Sequence, residues 1–560
     1  MTADLVITGG TVVDGTGRTP YRADVAVTAG RVSAIGDRLT GRHTLDASGH
    51  VVTPGFIDIH THYDAQVFWD PAMTPSCFHG VTTVVAGNCG FSLAPTRPEH
   101  HDVVVRTLEN VEDMDVATLT AGIPWDFGDF PGYLDSVARR GVGLNFAAYV
   151  GHTALRLYTM GLDAYERPAR AEESAAMADV LRTSLRAGAA GFATSFLRTH
   201  RGIDGKPVPS RLADRAELDA LLGVVREERR GVVAFAPGEL LTAPELYDLQ
   251  PSVGVPFTFT ALLTTPSRGY EQLLEVHRAG WAKGARVWPQ VTPRPVTFSF
   301  SLADPFTLNA NPVFAALMAG DLAERRAAYA DPAFRDKARA AWQVEGAALV
   351  PRWETYTIDE SAAHPDLVGR ELADVAAESA AGDPLDVLLG LALDEPGLAL
   401  RVRCVVANDD TEALRGILTE DNCTLGLSDA GAHVGQLCDA PQATDFLGAW
   451  VRERSLMPIE TAVRRLTGVQ ADLLGLTDRG YLRAGCWADI VVFDPATISP
   501  GPTRRLRDFP AGGERLTADR PTGIRHILVN GTPTRIDGVH APDADLPGHV
   551  LRVPRRPAGE

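Results

Sequence analysis

Two histidines two residues apart stand in Pro54-Gly-Phe-Ile-Asp-Ile-His-Thr-His62. In extended backbone, residues i and i+2 project to the same side, and imidazole is the commonest metal ligand. A bare His-x-His is more often two satisfied polar side chains near a strand end, so the choice rests on what else the chain offers. Cys89 lies in Gly87-Asn-Cys-Gly90, where the glycines let the backbone bend and approach closely. Its thiolate suits zinc; otherwise it packs as a small hydrophobe. Asp429 closes the apolar run Leu425-Gly-Leu-Ser-Asp429, a position that costs free energy unless the carboxylate is paired or bound to a cation. It reads as a metal ligand and as a general base toward water, and also as an N-cap for a following helix.

Other polar residues follow other apolar runs. Arg198, in Ser195-Phe-Leu-Arg-Thr-His200, is the candidate grip for a substrate carboxylate through paired hydrogen bonds, with an ion pair inside its own loop as the alternative. His152, in Tyr149-Val-Gly-His152, and His433, four residues past Asp429, are candidate substrate contacts; His433 reads equally as a cap on its own turn. Gln290 and Arg294 are weaker candidates of the same kind.

These residues share a surface if the apolar runs that precede them are barrel strands. The runs are 56–62, 81–86, 143–150, 191–195, 231–236, 256–262, 286–291 and 424–428, with helical stretches such as 172–187 and 213–228 between them. Eight strand–helix units describe a (β/α)8 TIM barrel, whose chemistry sits at the C-terminal ends of the strands. The spacing breaks at about 300–400, where helical Ala/Arg stretches alternate with prolines. That segment is expected to be a long insertion, either a lid over the mouth or packing on the outer ring. Short strands between turn signals mark both ends of the chain, predicting one small β-sandwich built from both termini. The expected division is 1–55 and 480–560 for the sandwich and 56–479 for the barrel. The polar, proline-rich end 554–560 is expected to fray.

Composition narrows the partners. A net charge of −18 argues against non-specific nucleic-acid binding and against anionic membrane surfaces. No apolar run reaches the length of a spanning helix, and the first residues lack the basic and apolar regions of a signal peptide. Six cysteines without CxxC spacing predict a reducing, cytoplasmic setting rather than a disulfide framework.

In order along nearly the whole chain, Gly9-Gly-Thr-Val-Val-Asp-Gly15, Pro54–His62, Gly87-Asn-Cys-Gly90, Val150-Gly-His-Thr-Ala-Leu-Arg156, Ala187-Gly-Ala-Ala-Gly-Phe192, Ser428-Asp429 and Ala488-Asp-Ile-Val-Val-Phe493 resemble the amidohydrolase superfamily, in its D-aminoacylase branch. The resemblance implies a tightly held zinc in a Cys/His/His site, two of whose ligands are missing here; what remains is His60, His62, Cys89 and Asp429, and one Zn2+ held by these four is the expectation. The resemblance also implies a histidine at the ends of strands 5 and 6, and here the sequence departs from it. Those positions fall near Ala236 and near Ala261 or Leu262, and no histidine occurs between His200 and His277. Glu239 is a weak substitute. If all four remaining groups bind the metal, no position is open to water, so Cys89 or Asp429 must be loose.

The expected activity is metal-dependent hydrolysis of a non-peptide C–N bond in a small amide that carries a carboxylate, with Asp429 as base. A barrel with altered, lyase-like or metal-poor chemistry is the alternative, and a non-catalytic scaffold is the third reading. A homo-oligomer is expected.

Overall fold

The molecule is described from a computed structural model covering residues 2–318, 320–347, 349–541 and 546–557. Eight strands surround its centre: β1 (Phe56–Asp58), β2 (Val81–Ala86), β3 (Asn145–Ala148), β4 (Gly191–Ser195), β5 (Val232–Ala236), β6 (Phe257–Phe259), β7 (Val287–Val291) and β8 (Thr424–Leu425). Neighbours pair in parallel from β1 to β3. Val150–Gly151 continues β3 onto β4, and the parallel ladder then runs through to β8. A parallel bridge between Thr61 and Ala430 closes the ring. Strands β2, β4 and β5 are buried at every position, which is why their sequences are continuous apolar runs without alternation.

Regular pairing stops earlier at the two ends that matter most. The expected strands 56–62 and 424–428 are ladders only to Asp58 and Leu425. Beyond them the chain is held by single bonds, from Thr61 N–H to Val85 O (3.1 Å) and from His62 N–H to Ala430 O (2.7 Å). Gly426 makes the closure possible, because a Cβ there would lie 2.3 Å from Ile59 Cγ1.

Four helices bear on the site. These are α1 (His101–Glu112), α2 (His152–Met160), α3 (Ala171–Arg186) and α4 (Arg215–Glu228). Asp214 caps α4 by accepting from Glu217 N–H, as an N-cap carboxylate does.

Both termini form the second unit. One sheet orders Arg31–Gly36, Asp24–Thr28, Ala3–Thr8 and Gly41–Asp46. The other joins the two ends of the chain where Ile490–Phe493 pairs antiparallel with Val51–Pro54. Val12, Val25, Val52, Ile490 and Leu528 are buried between the sheets. Val51–Pro54 leads straight into β1, so the sandwich fixes the strand that carries His60 and His62.

Between β7 and β8 the chain leaves the barrel. Three antiparallel strands, Val296–Ser301, Thr357–Glu360 and Arg401–Ala407, and several helices enclose a core of their own that includes Phe300, Phe314, Tyr329 and Leu388. This insertion reaches the mouth rather than the outer ring. Ser299 N–H donates to Gln436 O (2.7 Å), and the Phe298 and Phe306 rings lie 5.6 and 5.3 Å from the His433 ring. At the C-terminus the expected fraying is not seen at Arg555, which bridges Arg230; residues 558–560 lie outside the described residues. Among the described residues no helix is long and apolar enough to cross a membrane.

Candidate metal centre at the barrel mouth

Local packing explains how β1 and β2 present their side chains. The Asn88 amide donates to the carbonyls of Ile59 (3.2 Å), Thr61 (3.2 Å) and Val85 (2.9 Å), tying the ends of β1 and β2 together. Gly87 adopts φ +81°, and a Cβ there would meet Tyr149 O at 2.6 Å. Cys89, at φ 54°, pays the cost of left-handed backbone, about 1–2 kcal/mol, and its sulfur is thereby turned inward. Across the closure, the Ser428 hydroxyl donates to His60 O (3.1 Å). Asp429 is also left-handed, at φ 51°. No helix starts there, so the N-cap reading of Asp429 fails and its carboxylate faces β1 instead.

His60, His62, Cys89 and Asp429 converge. The two Nε2 atoms are 3.3 Å apart. Asp429 Oδ1 lies 3.1 Å from each of them, and Cys89 Sγ lies 3.8 Å from His60 Nε2. Tetrahedral zinc with Zn–N and Zn–O bonds of about 2.0–2.1 Å requires ligand atoms about 3.3–3.4 Å apart, and about 3.6 Å for a nitrogen–sulfur edge. The spacing therefore fits one ion, and the N, S and O donors suit a borderline cation. His60, His62 and Cys89 are buried, at 1%, 6% and 9% exposure, whereas the Asp429 side chain is 27% exposed.

The four donor groups are coupled electrostatically. Burial opposes charge on His60, but the Asp429 carboxylate and the Cys89 thiol outweigh it and raise its pKa to about 10. His62 is likewise raised against burial, by Glu112 and Asp429. Burial also opposes ionisation of Asp429 and Cys89, yet the two imidazoles hold both below their usual ranges. A cation would displace those protons and satisfy the same lone pairs.

The outer ring nitrogens are anchored too. His60 Nδ1 lies 2.6 Å from Gln290 Oε1 and 3.1 Å from Thr260 Oγ1, and Thr260 donates to the same Gln290 oxygen. His62 Nδ1 lies 2.9 Å from Glu112 Oε1. Neither Thr260 nor Glu112 stands out in the sequence, since each comes from an element far along the chain; Gln290 is one of the weaker candidates above. Asp64 accepts from Gly87 N–H (2.8 Å), and burial pushes its pKa up to about 7.

The remaining expected contacts are placed differently. His152 is fully buried at the start of α2. Its Nδ1 meets Thr194 Oγ1 (2.8 Å) and its Nε2 meets Glu217 Oε1 (2.7 Å), so no ring nitrogen is left for a substrate. Arg198 is 82% exposed and pairs with Glu239 at 2.7 Å. Arg198 is thus held in an ion pair, but with the loop after β5 rather than within its own loop, and Glu239 is turned to the surface, away from the metal ligands. His433 lies in the loop after Asp429, edge-on to Phe298 and Phe306 of the insertion. His200 bonds Ser195 Oγ through Nδ1 (2.6 Å) and packs on Phe91; burial lowers its pKa to about 3. Arg294 is spent on Asp439 and Asp445. Two cavities flank the cluster. One is lined by Asp429, Thr74, Val434, Leu437 and Arg515. The other is lined by His62, Asp64, Phe91 and Glu112.

The family model described as "Amidohydrolase family" matches residues 43–534. The chain belongs to this family. It is 30% identical over 568 residues to an N-acyl-D-glutamate deacylase of Alcaligenes xylosoxydans xylosoxydans, covering 98% of this chain and 96% of that one. It is 30% identical over 550 residues to a D-aminoacylase of the same organism, covering 95% and 94%. Among solved structures, an N-acyl-D-glutamate deacylase from Bordetella bronchiseptica, complexed with zinc and a phosphonate mimic of the tetrahedral intermediate, superposes with a TM-score of 0.69. It shares 29% identity, over 99% of this chain and 100% of that one. The amidohydrolase (β/α)8 fold with a terminal sandwich is thereby established, and with it a place among metal-dependent hydrolases of non-peptide C–N bonds. Ala236 ends β5, and Ala261 and Leu262 lie just past β6.

Proposed function

We propose that the protein hydrolyses the amide bond of a small N-acylated amino acid, as its named relatives do, with a single metal ion held by His60, His62 and Cys89. The observation that carries this reading is the convergence of one donor atom each from His60, His62 and Cys89 within 4.8 Å of one another, with Asp429 Oδ1 3.1 Å from both imidazole Nε2 atoms. A cation there supplies Lewis-acid polarisation of the amide carbonyl and lowers the pKa of water. Asp429 is the loose member, since it alone is substantially exposed. Its carboxylate takes the proton from attacking water and delivers it to the leaving nitrogen. His60 and His62 fix the ion and keep their Nε2 lone pairs free of protons. The cleft beside Asp429 receives the substrate; its Arg515 is already paired with Asp508 and bonded to Thr74. His433 shapes the mouth through its contacts with Phe298 and Phe306.

A second reading rests on Ala236, Ala261 and Leu262, the positions where the resemblance implies histidines. With no imidazole there, the mouth is poor in metal ligands and its chemistry departs from amide hydrolysis. Assay of the zinc-loaded protein against N-acyl-D-amino acids, N-acyl-L-amino acids and hydantoin-type rings separates the two. Hydrolysis, read as free amine from the N-acyl amino acids or as ring-opened carbamoyl product from the hydantoins, that is abolished in Asp429→Asn supports the first. A stoichiometrically loaded protein that forms neither product supports the second.

A further inference from the structure

The way the two imidazoles are held differs, and the difference points to a residue outside the ligand set. Resting on the metal-site reading above, we infer that Glu112 is a positioning residue: it engages His62 Nδ1 and so commits Nε2 to the ion. His62 Nδ1 and Glu112 Oε1 are 2.9 Å apart, and both side chains are 5% exposed. The contact is bent rather than aligned, and neither atom has another hydrogen-bond partner among the described residues. A buried carboxylate oxygen without a partner costs several kcal/mol, so this placement calls for a reason, and the facing imidazole supplies it.

The backbone holds Glu112 in that position. It is the last residue of α1, and its carbonyl accepts from His433 N–H at 2.5 Å. Asp113 follows in the left-handed region at φ 51°, with its carboxylate against Gly435. The end of α1 is therefore wedged between the loop that carries His62 and the loop that follows Asp429. His60 has the neutral counterpart, Gln290 with Thr260. An anionic acceptor on Nδ1 makes the opposite nitrogen a better donor than a neutral one does, and such partners typically change metal affinity 10–100-fold.

The test uses the full-length protein and zinc alone. Zinc affinity is measured by competition with a chromogenic chelator for the wild type and for Glu112→Gln, which keeps the shape and removes the charge. Histidine tautomers are read from 15N spectra of the zinc-loaded wild type. The inference expects affinity to fall by about 10–100-fold in Glu112→Gln, partial recovery in Glu112→Asp, and His62 protonated at Nδ1. Affinity within about twofold of wild type, well short of that range, overturns it, as does a lowered thermal midpoint with unchanged zinc affinity. If Glu112→Gln fails to fold, the tautomer decides: a proton on His62 Nε2 overturns the assignment, and one on Nδ1 sustains it. A wild type that takes up no zinc at this site fails the metal reading itself. A wild type that takes it up, with Glu112→Gln unaffected, fails only the role of Glu112.

Discussion

Glu217→Gln is expected to destabilise the protein by about 3–5 kcal/mol, the usual cost of breaking a buried ion pair by removing one partner. Glu217, His152 and Arg156 have side chains with no solvent exposure. Glu217 binds His152 Nε2 through one oxygen and the Arg156 guanidinium through the other. Among the described residues Arg156 otherwise reaches only the Arg167 carbonyl, and its Nε has no hydrogen-bond partner there. Neutralising Glu217 thus strands a cation in the helix layer, away from the metal ligands. A loss of this size is a large share of the roughly 5–15 kcal/mol that holds a typical domain together. The assay is urea denaturation followed by fluorescence, with activity measured on the folded fraction in parallel. Stability should fall while kcat/KM of the folded fraction stays near wild type. A loss below about 1 kcal/mol, the scale of an exposed pair, would refute the buried-triad argument. Intact stability with lost turnover would return His152 to the substrate.

Three other outcomes follow from the same geometry. Asp429→Asn should lower kcat by about 10²–10⁴, the range for a general base, while zinc stays bound through His60, His62 and Cys89; steady-state kinetics with metal analysis checks both. Arg198→Ala removes an exposed pair with Glu239 and should change stability by no more than about 1 kcal/mol, with KM unaltered; a large rise in KM would restore its role as the carboxylate grip. His79 is buried between Thr444 and Ala518, and burial lowers its pKa to about 3. Its native form binds a proton less readily than the unfolded chain, whose histidine titrates near 6.5. Stability therefore falls as pH drops below about 6.5, by about 1.4 kcal/mol per unit, until the native pKa is reached. His79→Gln should flatten the wild-type profile by that slope between pH 6 and 4, and parallel profiles would contradict it.

What could be read from the sequence followed periodicity and strand-end position. The eight runs are legible because a strand buried on both faces must be continuously apolar. His60 and His62 fall together because extended backbone alternates, even though regular pairing has already ended at Asp58. The direction of a side chain at a strand end was not legible. His152 and Arg198 follow strands just as Asp429 does, yet one turns back between β4 and α4 and the other lies on the surface. That depends on loop dihedrals, which spacing does not encode. Glu112 and Thr260 were invisible for a related reason: each touches a ligand through tertiary packing between distant segments. The insertion announced itself by broken spacing, but its antiparallel strands did not, because alternating patterns such as Val296-Thr-Phe-Ser-Phe-Ser301 were masked by the prolines around them.

The most direct measurement is the metal content and metal edge spectrum of the protein purified without chelators, beside those of His60→Ala. One zinc per chain with nitrogen and sulfur neighbours, lost in His60→Ala, is the predicted result. Stoichiometric zinc that survives His60→Ala, or a sulfur-free coordination sphere, would contradict it.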